Sequence, residues 1–235
     1  MNNKNLKFSF FGTPDVAEKT LNILKENGYI PSLIITQEDK PQGRKMLLTP
    51  PPVKTWATKN KIDFIQPSKI DQAFIDYYKK QNFEISIVVA YGKILPEELI
   101  KIPDKGTLNI HYSLLPKYRG ASPVESAILD GLKETGVSIQ QMEFKLDSGP
   151  ILAEKKIEIL QDETRDELKD KLIIEGSLLL VEKLPEILNG KIEIKKQDDK
   201  EATFCKKIKK EDGEIDIANG KDLENYNKYT AIKGR

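Results

Sequence analysis

The 235-residue sequence holds one histidine, one cysteine and one tryptophan, and its charges nearly cancel, 38 lysines and arginines against 37 aspartates and glutamates. A lone cysteine, Cys205, excludes an intramolecular disulfide and fits a reducing compartment, where a single thiol serves as a small apolar filler. With one histidine and one cysteine there is no cysteine or histidine cluster to hold zinc. A net charge of +1 excludes a broad field for polyanions, so any nucleic-acid contact must rest on a local basic patch. No apolar run reaches the roughly 20 residues that span a bilayer. The first such run is cut at Gly12 and Pro14, too early for a secretory leader, so the expected setting is the cytoplasm, with no membrane partner. A phosphate-cradling Gly-x-x-x-x-Gly-Lys-Ser/Thr loop is also missing, and Gly12-Thr13-Pro14 lacks the three glycines that bring backbone against a pyrophosphate. Phosphoryl transfer by that route and zinc hydrolysis drop out, and nicotinamide chemistry is disfavoured.

What is present is alternation. An apolar run at 6–11 leads through Gly12-Thr13-Pro14-Asp15 into an amphipathic stretch at 16–27 that stops at Gly28, the pattern of strand, turn, helix and glycine terminator. Strand-like segments follow at 29–36, 62–65, 85–89 and 107–112, with helical ones at 53–60, 71–80 and 123–130 between and after them. Residues 39–52 read as a long proline-rich basic loop. Two further strands are expected at 136–144 and 151–159, joined by the turn Lys145-Leu146-Asp147-Ser148-Gly149-Pro150. Thr164 and Glu167 have the spacing of a capping box for a helix that ends at Asn189-Gly190. The expected fold is α/β, a doubly wound, mostly parallel sheet. Beyond residue 190 the chain is highly charged and weakly periodic, which places a boundary there: 1–190 as the main domain, 191–235 as a linker and the start of a C-terminal region.

The chemistry concentrates around His111. Asn109 lies two residues before it and so shares its face of a strand. A proline-stiffened loop, Ser113-Leu114-Leu115-Pro116, follows. In a doubly wound sheet the loops after strand ends form the ligand crevice, so residues 109–120 and the turn holding Asp147 can converge. An amide, an imidazole and a carboxylate are what acyl transfer to an amine needs: an oxyanion donor, a proton shuttle and a group that orients the shuttle. Taken alone, Asp147 in an Asp-Ser-Gly turn is as readily a turn former, and spacing leaves both readings open.

The run Asn109-Ile110-His111 through Ser113-Leu114-Leu115-Pro116-x-Tyr118-Arg119-Gly120, with Leu146-Asp147-Ser148-Gly149 downstream, resembles the signature of the folate-dependent formyltransferases. Within that superfamily the likeness is closest to the methionyl-tRNA formyltransferases. It is carried by Phe11-Gly12-Thr13-Pro14, by the loop Asp39-Lys40-Pro41-Gln42-Gly43-Arg44 running to Pro51-Pro52-Val53-Lys54, and by Glu134-Thr135-Gly136-Val137-Ser138-Ile139. The resemblance covers residues 6 to about 190 and extends more weakly through Ala202-Thr203-Phe204 and 208–216.

It implies a Rossmann-like catalytic domain that moves a formyl group from 10-formyltetrahydrofolate to the α-amine of methionine on initiator methionyl-tRNA, without a metal. Asn109, His111 and Asp147 would be the catalytic residues. Ser113, Leu114, Leu115 and Pro116 would line the folate pocket, with Val89, Tyr91 and Leu95 behind the pterin. Lys40, Arg44 and Lys45 would face tRNA, and the expected state is a monomer. Two departures stand out. The family continues into a C-terminal β-barrel, whereas this sequence ends at Gly234-Arg235, about where that barrel would begin, so it is either natively short or cut. The basic loop turns apolar at Met46-Leu47-Leu48. A formyltransferase for an amino-sugar nucleotide or glycinamide ribotide would share the Asn-His-Asp set without the Gly43-Arg44 loop. A formyl-folate hydrolase would use water as acceptor, and a non-catalytic RNA-binding module would not need the set.

Overall fold

The structure is a computed structural model that describes residues 6–215 and 221–233. Its centre is a seven-stranded sheet built from β1 (Phe8–Gly12), β2 (Leu33–Ile35), β5 (Phe64–Ile65), β6 (Ile85–Val89), β7 (Thr107–His111), β9 (Glu134–Gln141) and β10 (Ile151–Glu158), in the order β10-β9-β7-β6-β1-β2-β5. The five strands from β7 to β5 run parallel, and β9 and β10 add antiparallel pairs at one edge. Every residue of β1 and β6 is buried, as strands covered on both faces must be.

Helices α1 (Asp15–Glu26), α2 (Pro52–Asn60), α5 (Pro123–Leu129) and α6 (Arg165–Leu188) supply one apolar cluster, with Leu21, Trp56, Ile128 and Leu172 among its members. On the opposite face α3 (Gln72–Lys79) and α4 (Glu97–Ile100) pack Phe74, Tyr78 and Leu99 against Phe11 and Val88. Each such fully buried side chain contributes about 2 kcal/mol by removal from water. The capping box opens α6 as expected: Thr164 accepts from the Glu167 N–H, and the Glu167 carboxylate accepts from the Thr164 N–H at 2.8 Å.

Three expectations change. The 39–52 loop is partly a hairpin, β3 (Lys40–Gln42) paired antiparallel with β4 (Leu47–Thr49), all exposed except half-buried Thr49. The strand expected at 29–36 shortens to three residues because Pro31 lies just before it and can donate no ladder hydrogen bond. The segment beyond 190 is not featureless. Ile151 pairs with Lys195, β11 (Phe204–Cys205) pairs with the two-residue β8 (Arg119–Gly120), and α7 (Asp222–Ile232) packs on α5, its Asn227 donating to the Leu129 carbonyl.

The strand order turns around between β1 and β6, so the crevice lies at their C-terminal ends, next to the end of β7. There the Thr13 hydroxyl and the Gln37 amide both donate to the Tyr91 carbonyl, at 2.9 and 2.6 Å, tying the loops after β1, β2 and β6 together.

Candidate active site

Leu108 and Ile110 on β7, with Val137 and Ile139 on β9, belong to the cluster under α6. Strand alternation therefore turns Asn109, His111, Ser138 and Gln140 to the other face. The ladder sets them in pairs, Asn109 opposite Gln140 and His111 opposite Ser138. Ser138 braces the loop after the strand: its hydroxyl donates to the Ser113 carbonyl at 2.7 Å and accepts from the Leu115 N–H at 3.0 Å.

His111 is 5% exposed. Its Nε2 lies 2.9 Å from the Tyr118 carbonyl oxygen, which can only accept, so Nε2 carries the hydrogen and donates. Nδ1 is then the nitrogen that lies 3.8 Å from Asp147 Oδ2, an ion-pair distance and not a hydrogen bond.

Asp147 is fixed from several sides. Its Oδ2 accepts from the Gly120 N–H at 2.8 Å and its Oδ1 from Gln140 Nε2 at 3.0 Å. Its backbone sits at φ 46°, in the left-handed region that aspartate visits more readily than most side chains and that the bonds around it hold in place. Gly149 fixes the turn further, because a Cβ there would lie 1.8 Å from the Gln141 carbonyl oxygen. Only glycine lets the turn close so tightly onto β9.

The structure thus brings His111 and Asp147 together and places Asn109 on their face of the sheet. Asn109 is half-buried, and among the described residues its carboxamide has no hydrogen-bond partner. Ser113 spends its hydroxyl on the Lys117 carbonyl at 2.6 Å, and Leu114 abuts Gly136, where a Cβ would come within 2.4 Å of it. Leu115 is buried and Pro116 half-buried, after a cis peptide bond. Val89, Tyr91 and Leu95 are core residues. Burial pushes the Tyr91 phenol up to about 12, with the nearby Glu38 carboxylate adding to the effect.

Lys40 donates to Gln37 Oε1 at 2.6 Å, whereas Arg44 and Lys45, between the strands of the exposed hairpin, have no ion-pair partner among the described residues. No group of three or more His, Cys, Asp or Glu suited to a metal occurs among the described residues. None of their helices is long and apolar enough to cross a membrane.

Sequence reading missed Gln140. Its Nε2 holds Asp147 while its Oε1 is buried without a partner. No sequence signal sets it apart, since Thr135, Ser138 and Gln141 on the same strand are polar too, and its role shows only in the folded chain, where it is buried and bonded to Asp147.

Residues 5–184 match the family described as Formyl transferase. The methionyl-tRNA formyltransferase of Sulfurihydrogenibium sp. (strain YO3AOP1) is 45% identical over 230 residues, 97% of this chain and 74% of that protein. The methionyl-tRNA formyltransferase of Halalkalibacterium halodurans is 42% identical over 212 residues, 90% of this chain and 67% of that protein. In fold, the chain is similar to an N-formyltransferase from Helicobacter canadensis crystallised with folinic acid and dTDP-3-aminofucose, with a TM-score of 0.73 at 19% identity over 97% of this chain and 80% of that one. A phosphoribosylglycinamide formyltransferase from Bacillus halodurans aligns at a TM-score of 0.64 and 22% identity, over 77% of this chain and 95% of that one. With the matched region running from β1 nearly to the end of α6 and enclosing Asn109, His111 and Asp147, the chain belongs to the formyl transferase family.

Proposed function

We propose that this chain transfers a formyl group from 10-formyltetrahydrofolate to the α-amine of methionine esterified to initiator tRNA. The observation that carries the chemistry is the placement of His111 Nδ1 beside Asp147, on the face that presents the free Asn109 carboxamide. The likeness to methionyl-tRNA formyltransferases at above 40% identity supports the acceptor.

In this reading the amine adds to the formyl carbon, the bond from that carbon to N10 of the folate breaks, and N10 takes up the proton that the amine gives up. Asn109 Nδ2 donates to the oxyanion formed on the way, and protonated His111 stabilises the same charge through Nδ1. Asp147 supports the imidazolium and orients it, or manages a water that takes the proton from the amine. The donor set suits a folate: Asn109 offers an unpaired amide, and the buried Gln140 Oε1 and Tyr91 hydroxyl lack partners among the described residues. The loop Ser113-Leu114-Leu115-Pro116 forms one wall, with Val89, Tyr91 and Leu95 behind. Arg44 and Lys45 at the hairpin tip, with Lys40 at its base, are the phosphate-facing groups. The chain acts as a monomer, and the unit that does so begins with 1–190 and includes the segment after it.

The test is formylation of charged initiator tRNA by the purified chain, with 10-formyltetrahydrofolate as donor. An amino-sugar nucleotide and glycinamide ribotide serve as rival acceptors. Formyl-methionyl-tRNA formed well above either rival product supports the reading. Turnover on a small amine with none on tRNA overturns the acceptor, and tetrahydrofolate released without any acceptor overturns the transfer.

A further inference from the structure

Gln197 lies beyond the boundary expected at residue 190, yet it reaches the turn that holds Asp147. Its Nε2 donates to the carbonyls of Asp147 and Gly149, at 2.9 and 2.6 Å. Its Oε1 accepts from Arg119 Nε and Nη2, at 3.0 and 2.7 Å. The direction of this amide is not open to choice. A guanidinium has no acceptor and a carbonyl has no donor, so only one orientation satisfies all four bonds. Arg119 is fully buried, and its Nη1 pairs with Asp199 Oδ1 at 2.8 Å. Asp199 in turn binds Lys145, two residues before Asp147, at 2.5 Å. The chain neighbours of Arg119 are Tyr118, whose carbonyl receives His111, and Gly120, whose N–H holds Asp147. One buried cation therefore anchors the backbone on both sides of the imidazole-carboxylate pair, and Gln197 is the strut that joins it to the Asp147 turn.

We propose that Gln197 is a positioning residue that holds Asp147 against His111, so that the segment 191–205 is part of the catalytic unit. The inference rests on the role assigned to Asp147 above. Gln197→Glu is the discriminating change. It keeps an oxygen facing Arg119 and supplies a stronger ion pair, but it removes the donor and sets a negative charge against two carbonyls. A misplacement of about 1 Å at a reacting group costs up to roughly 100-fold. The expected result is a fall in kcat of about 10- to 100-fold, with KM for both substrates within about twofold of wild type.

A merely structural role would add its loss to any other, so the change is repeated in an Asp147→Asn background. There Gln197→Glu should cost less than about twofold, because residues that act as a unit are not additive. Gln197→Ala, which removes both the donor and the acceptor, repeats the cycle if the glutamate variant does not accumulate folded. A kcat near wild type, or an undiminished loss in the Asp147→Asn background, overturns the inference. Wild-type turnover in the same assay tests the functional reading separately: if the wild type is inactive on every acceptor, that reading fails and this one with it. An active wild type with additive variants sinks this one alone.

Discussion

His111 donates from Nε2 to the Tyr118 carbonyl at 2.9 Å, and this one bond decides which ring nitrogen faces Asp147. Because Nε2 is committed to backbone, proton handling falls to Nδ1. His111→Ala and Asp147→Asn should each lower turnover by roughly 100-fold or more, the scale of losing a proton-handling or oxyanion group. Circular dichroism and Tm should stay near wild type. Single-turnover formylation at saturating substrates is the check, and near-normal rates in either variant would remove that residue from the mechanism.

Asn109 has a free amide on the reacting face, so the sign of its replacement is informative. Asn109→Asp should be slower than Asn109→Ala, since a carboxylate repels the forming oxyanion whereas alanine only fails to stabilise it. Equal rates for the two variants would make Asn109 a positioning group.

Gln140 can be probed in the same way. Gln140→Met keeps the volume and removes the donor to Asp147 Oδ1, and should lower kcat by about tenfold with little change in KM. Gln140→Glu should be worse, because it sets a second carboxylate against the first. The comparison of kcat for the two variants is the measurement, and the reverse order would detach Gln140 from Asp147.

Gly149→Ala tests the close approach of the turn to β9. A Cβ 1.8 Å from the Gln141 carbonyl oxygen cannot be absorbed by a side-chain rotation, so the backbone must move. Tm should fall by about 5 °C or more, and turnover should fall with it. Unchanged values in both would show that the turn is looser than its geometry indicates.

At the hairpin, Arg44→Ala should raise the apparent KM for tRNA and leave formyl-folate binding unchanged. It should also flatten the dependence of log K on log salt by about 0.7 to 0.9, the increment for one phosphate contact. An unchanged slope and rate in Arg44→Ala would shift the acceptor towards a small amine.

Much of this was legible in the residues. The apolar run at 85–89 marks a central strand because a buried parallel strand leaves little room for polar side chains, and the alternation of Leu108 and Ile110 with polar residues marks the next strand, with one face on the core. Thr164 and Glu167 mark the start of α6 because their reciprocal bonds are local. Asn109, His111 and Asp147 could be singled out as residue types, but the 3.8 Å meeting of the last two depends on a turn that only the folded chain defines. Gln140 and Gln197 stayed hidden for a related reason. A glutamine takes its role from its folded partners: Gln140 from Asp147, seven residues on across the turn, and Gln197 from Asp147 and Arg119, 50 and 78 residues before it. The stretch between α6 and α7 lacks periodicity because it is held by a two-residue strand pair and individual polar bonds, which leave no repeating pattern.

The pairing of β11 with β8 also has a temporal side. A ribosome makes the chain from one end, so Asn109, His111 and Asp147 leave the exit tunnel before Gln197 and before Phe204 and Cys205. The sheet and its helices up to α6 can collapse while synthesis is still under way. The turn at Asp147 must wait for the strut, and β8 must wait for its partner strand. On the proposed role of Gln197, a nascent chain arrested near residue 190 would carry a nearly complete core around an unfinished site.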